Sequence, residues 1–189
     1  MKTRGNRELV VRLVVTAVGV CSLRGCRGIA EPAARETFLD SLGTTSITVY
    51  PAYVRRRTGA YDEATAERLA GFVRAESMAE VTVSDEQVPI TGPWHHNQAR
   101  MLQESAESFA AYGRDHPIRT DYALLAEYLF GRDAAGGIHA YVLDAEGTVA
   151  YAVLRNDHWR PFAEVAPRTV DDCTDVLVDV LRDSWQNAD

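Results

Sequence analysis

Apolar and polar positions alternate along this chain in two distinct rhythms. The stretch Ser46-Ile47-Thr48-Val49-Tyr50-Pro51-Ala52-Tyr53-Val54 is rich in β-branched and aromatic residues. It is bounded by Gly43 and by Arg55-Arg56-Arg57-Thr58-Gly59, and predicts a first strand over 46–54. Asp62 then stands where a helix cap is wanted. Ala66, Leu69, Ala70 and Val73 follow at three- and four-residue spacing, with Glu63, Glu67, Arg68 and Arg74 between them, which predicts an amphipathic helix. A second strand is expected over Glu80 to Ser84. Pro89, Gly92 and Pro93 interrupt the chain before a second helix, about Asn97 to Tyr112, that gathers Leu102, Ala106, Phe109 and Ala110 on one side and ends at Gly113.

Beyond Asp115-His116-Pro117 come three strand-like segments, Thr120 to Phe130, Ile138 to Leu143 and Thr148 to Leu154. The turns Gly131 to Gly137 and Asp144-Ala145-Glu146-Gly147 join them into a meander. A last helix, about Val170 to Trp185, lines up Cys173, Val176, Leu177, Val180 and Leu181 against Asp172, Asp175, Asp179 and Asp183. The predicted order is β-α-β-α-β-β-β-α in one domain over 45–189.

The N-terminal residues carry a different signal. Lys2, Arg4, Arg7 and Arg12 precede the apolar run Leu13 to Val20, and Leu23-Arg24-Gly25-Cys26 follows. This is the order of an export signal, and the run is short of the roughly 20 residues a membrane-spanning helix needs. Leu-x-Gly-Cys resembles the lipobox of bacterial lipoproteins, with Arg24 in place of the usual small residue. The resemblance implies lipidation of Cys26 after removal of a signal peptide at 1–25, with 26–44 as a tether containing a stretch suited to a short helix, Arg35 to Leu42. The other reading of the same residues is an amphipathic N-terminal helix of a cytoplasmic protein.

Charge and cysteine content narrow the chemistry. The whole chain carries −7, and residues 26–189 hold 15 Arg against 26 Asp and Glu. That balance argues against nucleic acid as a partner, and leaves the lipid anchor as the expected contact with a membrane. Lys2 is the one lysine of the chain, so the domain has no lysine for a P-loop, a Schiff base or a Ser-Lys dyad. Cys21 and Cys26 fall in the signal region and are not spaced as a Cys-x-x-Cys redox pair. Cys173, on the apolar stripe of the last helix among aspartates, is expected to be buried and inert.

The element order, Asp62-x-x-Thr65-Ala66-x-x-Leu69-Ala70 at the first helix, Thr120-Asp121-Tyr122-Ala123-Leu124-Leu125 at the third strand and the Asp144-Ala145-Glu146-Gly147 turn together resemble a group of bacterial envelope domains. These are the N-terminal domain of the Tol-system periplasmic protein, the curli-secretion lipoprotein, and the lipoprotein activators of penicillin-binding proteins. The resemblance covers about 46–185. It implies an α/β sandwich, one mixed sheet with helices packed on one face, which contacts other envelope proteins on the periplasmic side of a bacterial membrane and uses no cofactor.

Three groups of residues are candidate contacts. Arg55, Arg56 and Arg57 form the one basic run and could grip a phosphate or carboxylate, or could simply be a solvated loop. Trp159, Arg160 and Phe162 share a long connection between the last strand and the last helix, and have the composition of an interface anchor. Their other reading is that the aromatics fold back over the sheet. Trp94, before the second helix, has the same two readings. The rival function is a small hydrolase or metal-dependent enzyme built on His95, His96, His116 and His158. It would require at least two of these to meet a carboxylate in one pocket. His139 reads as a sheet-face residue.

Overall fold

The computed structural model describes residues 29–56, 58–92 and 94–186. The expected signal peptide, Cys26 and Arg57 lie outside the described residues. The elements are α1 (Pro32–Ser41), β1 (Ser46–Val49), β2 (Ala52–Arg55), β3 (Ala60–Asp62), α2 (Glu63–Glu76), β4 (Glu80–Val83), α3 (Gln98–Asp115), β5 (Tyr122–Phe130), β6 (Ala135–Asp144), β7 (Val149–Asn156), α4 (Arg160–Val165) and α5 (Val170–Gln186). The fold is α/β with one mixed sheet of seven strands.

The long strand β5 organises that sheet. The first strand predicted over 46–54 is two strands in line, both parallel to β5, with Ile47 opposite Tyr122 and Val54 opposite Tyr128. Pro51 has no amide to give to a ladder, so the chain breaks there. The Tyr50 amide still donates to Leu124 O at 2.9 Å and holds the two pieces to one partner. β3, which was not predicted, pairs antiparallel with β2, and β4 pairs parallel with β1. On the other side, β5, β6 and β7 form the expected antiparallel meander. Its Asp144 carboxylate accepts from the amides of Glu146 and Thr148, and Gly147 supplies the positive φ of the turn. Asp121 fixes the start of β1, accepting from the Ser46 amide at 2.8 Å. That hydrogen bond, above all, holds its carboxyl below the usual aspartate range.

Helices cover both faces of this sheet, and here the one-face expectation is corrected. Every residue of β5 is buried, so the strand has no face that could be left to water. Tyr122, Leu124, Ala126 and Tyr128 pack with α1, α2 and α5 in the larger core, while Ala123 and Leu125 pack under α3 with Phe109 and Ala106. α3 runs past the expected stop at Gly113 to Asp115. That glycine is a point of close approach, since a Cβ there would sit 3.2 Å from both Leu143 and Ile118.

The remaining helices follow their sequence patterns closely. Asp62 caps α2 by accepting from the Thr65 amide, and α5 buries Cys173, Val176, Leu177, Val180 and Leu181 as the spacing predicts. Two segments go beyond expectation. The short helix expected at Arg35 to Leu42 is present as α1, but it begins at Pro32, and its Phe38 is fully buried against Tyr122 and Tyr151. The long connection after β7 contains α4, with Pro161 in its first turn and Ala166 in the left-handed region at its end. Among the described residues, no helix is long and apolar enough to cross a membrane.

Candidate interaction surfaces

The most polar cluster of the interior was not predicted as such. Glu127 in the middle of β5 lies opposite His139 of β6, and Tyr141 follows two residues later on the same face. Glu127 Oε1 accepts from Arg55 Nε at 2.7 Å, and Oε2 accepts from the Tyr141 hydroxyl at 2.7 Å and from His139 Nδ1 at 3.0 Å. With the Tyr141 hydrogen committed to Glu127, the Nδ1 of His139 is the donor, which leaves its buried Nε2 without a partner. Burial alone would raise the Glu127 pKa. The hydrogen bond and charge of His139, the Arg55 guanidinium and the Tyr141 hydroxyl outweigh it and hold the carboxyl below its ordinary value. Tyr141 is pushed strongly up by burial and by that carboxylate.

Arg55 is therefore not a ligand grip. Its remaining donors go to Gly92 O at 2.9 Å and Ser105 Oγ at 3.2 Å, so one side chain ties β2, β5, α3 and the loop before α3 together. Arg56, one residue beyond β2, lies exposed over the Phe130 ring, 4.5 Å from its centroid, and is not part of this network. The sequence did hold a signal for this network: Glu127 is the one charged residue in the run Tyr122 to Phe130.

The tryptophan candidates divide. Phe162 is buried in the larger core, as its fold-back reading required, and is corrected as a contact residue. Trp159 is half-buried with the Arg155 guanidinium 4.9 Å from its ring. Arg160 is exposed and paired with Glu164 at 2.7 Å. Trp94 is 47 % exposed. The loops that carry Trp94 and Trp159 converge, since His96, Asn97 and Gln98 from one and Asn156 and His158 from the other line a small cleft of about 290 Å³.

The histidines are dispersed among different surroundings. His95 Nε2 lies 3.1 Å from Glu104 Oε2, His116 stacks on Tyr112 with ring centroids 4.2 Å apart, and His139 is in the buried network. His96 and His158 share the small cleft, whose lining includes no carboxylate. Among the described residues, no group of three or more His, Cys, Asp or Glu side chains could hold a metal ion. Cys173 is fully buried, and burial together with the nearby Asp172 pushes its thiol up to about 12.

Among the described residues, one face of β1 and β4 has no helix above it, while α2 packs on the other. α3 packs on β6 and β7, which leaves Ser46 and Thr48 of β1 beside Glu80 and Thr82 of β4 as the floor of an open bowl of about 860 Å³. Its rim carries Asp85, Glu86, Asp115, His116 and Arg119. Glu86 accepts from the Tyr112 hydroxyl, and burial together with that carboxylate raises the phenol pKa.

No protein-family model and no curated protein matches the chain. Two solved structures of the PelC dodecamer from Paraburkholderia phytofirmans are similar to it. A point variant of PelC has a TM-score of 0.35 and 13 % identity over 61 % of this chain and 73 % of that one. The second has a TM-score of 0.34 and 16 % identity over 61 % and 72 %. A likeness this loose assigns neither a family nor a function.

Proposed function

We propose that this protein is an exported, lipid-anchored, non-catalytic binding or accessory module of the bacterial cell envelope. The observation that carries the binding role is the convergence of the two loops that carry Trp94 and Trp159, whose residues His96 to Gln98 and Asn156 with His158 line one cleft; Trp94 is exposed, and Trp159 is half-buried against the larger core. Loops held by a scaffold are the usual place for contact residues, and Trp and Arg are enriched among interface hot spots. The ionisable groups with the most chemistry to offer, Glu127 and His139, are spent on each other inside the fold.

The contact is tested by affinity capture from envelope extracts. Trp94→Ala and Arg160→Ala should each weaken retention of the partner by more than about fivefold while the melting temperature stays close to wild type. Full retention by a folded Trp94→Ala protein would remove that loop from the contact surface.

Anchoring rests on Leu23-Arg24-Gly25-Cys26 behind the apolar run. Cys26→Ser should move the protein out of the membrane fraction or leave it unprocessed, and Cys21→Ser should not. Equal partitioning of Cys26→Ser and wild type would end the lipoprotein reading.

A further inference from the structure

We infer that the uncovered face of β1 and β4 seats a basic, extended peptide segment of the partner. The inference rests on the binding role proposed above and adds a second contact and its chemistry. α1, α2 and α5 cover one side of the sheet and α3 covers β6 and β7 on the other, so this patch is the part of the sheet left open among the described residues. It is built for polar contact. In the parallel register Ser46 lies beside Glu80 and Thr48 beside Thr82, which gives a floor of hydroxyls and a carboxylate where a face awaiting a helix would be apolar.

Charge then selects the occupant. Glu80, Asp85, Glu86 and Asp115 face the bowl against Arg119 and the imidazole of His116. The potential in a cleft lined mainly by one sign is focused and attracts the opposite sign. A second copy of this chain would bring the same carboxylates face to face, which disfavours self-association through this patch. A volume of about 860 Å³ suits several residues of a peptide better than a single ion. Contact through the face is also favoured over strand addition at the edge. The outward Val81 carbonyl of β4 already accepts from Arg74 Nη2 at 3.0 Å, which closes part of that edge.

The test uses the full-length chain and a fluorescein-labelled peptide of alternating Arg and Thr, about ten residues long, with a Glu/Thr peptide as control, read by fluorescence anisotropy. Wild type should bind the Arg/Thr peptide and ignore the control. The double variant Glu80→Arg, Asp85→Arg should weaken binding by more than about tenfold. Glu36→Arg with Glu107→Arg makes the same change in net charge at exposed helix positions and should leave binding within about twofold. Melting temperatures close to wild type confirm that both variants are folded.

Equal loss in the two double variants would reduce the effect to net charge and overturn the inference, as would absence of binding by wild type. Spermidine binding as tightly as the peptide, or self-association that Glu80→Arg abolishes, would replace the peptide by another occupant. If the peptide fails to bind while Trp94→Ala still weakens capture and Cys26→Ser still changes partitioning, this inference fails and the broader function stands.

Discussion

Replacing Glu127 by alanine is expected to destabilise the domain by about 3–5 kcal/mol, because it strands the Arg55 guanidinium in the interior and strips two hydrogen-bonding groups of their acceptor. Arg55 is nearly buried and Glu127 fully so, and solvent can replace the lost partner only if the loop at Gly92 opens. Glu127→Gln separates charge from volume. It fills the same space and cannot neutralise Arg55, so its cost should approach that of alanine. Recovery of most of the stability by glutamine in urea unfolding would mean that a cavity, and not the charge, was the cause. A cost below about 1 kcal/mol for Glu127→Ala would mean that the network contributes little.

The same group gives the stability a pH signature. The folded pKa of Glu127 lies below its ordinary value of 4.5. Its contribution is therefore fully present above that value and is lost as the pH falls through the folded pKa. The stability gap between wild type and Glu127→Gln should be flat from neutrality to about pH 5 and close in more acid solution. A gap that widens on acidification would contradict a stabilised carboxylate.

Leu177→Ala is the second large effect, with an expected cost of about 2–5 kcal/mol. Leu177 is fully exposed to other side chains and not at all to water, in the core that α5 shares with α2 and the sheet. Asp179, two residues on, is on the solvent side and pairs with Arg182, which keeps a second carboxylate partner in Glu76. Asp179→Ala should leave the unfolding free energy essentially unchanged. Similar losses at the two positions would mean that the buried face of α5 has been placed on the wrong side.

What the sequence determined is what short-range pattern can encode. The stripe on α5, the cap at Asp62, the Asp144 to Gly147 turn and the meander are all legible because each depends on residues within a few positions of one another. The acidic balance and the missing lysines are equally properties of the chain alone. Even the break at Pro51 follows from a missing amide, although its consequence, two strands sharing one side of β5, depends on the partner strand.

The tertiary structure decided everything that joins distant residues. A continuous apolar run such as β5 says that both faces are buried but not by what, so the position of α3 on the second face required the assembled sheet. Phe162 and Arg55 look like surface candidates by composition. The first entered the core because α4 forms, and the second because Glu127, 72 positions later in the chain, stands opposite its strand. The open bowl over β1 and β4 has no sequence signature at all. It exists because α3 covers only part of one face, and the uncovered area of a sheet is set by where a helix packs rather than by any residue on the strands themselves.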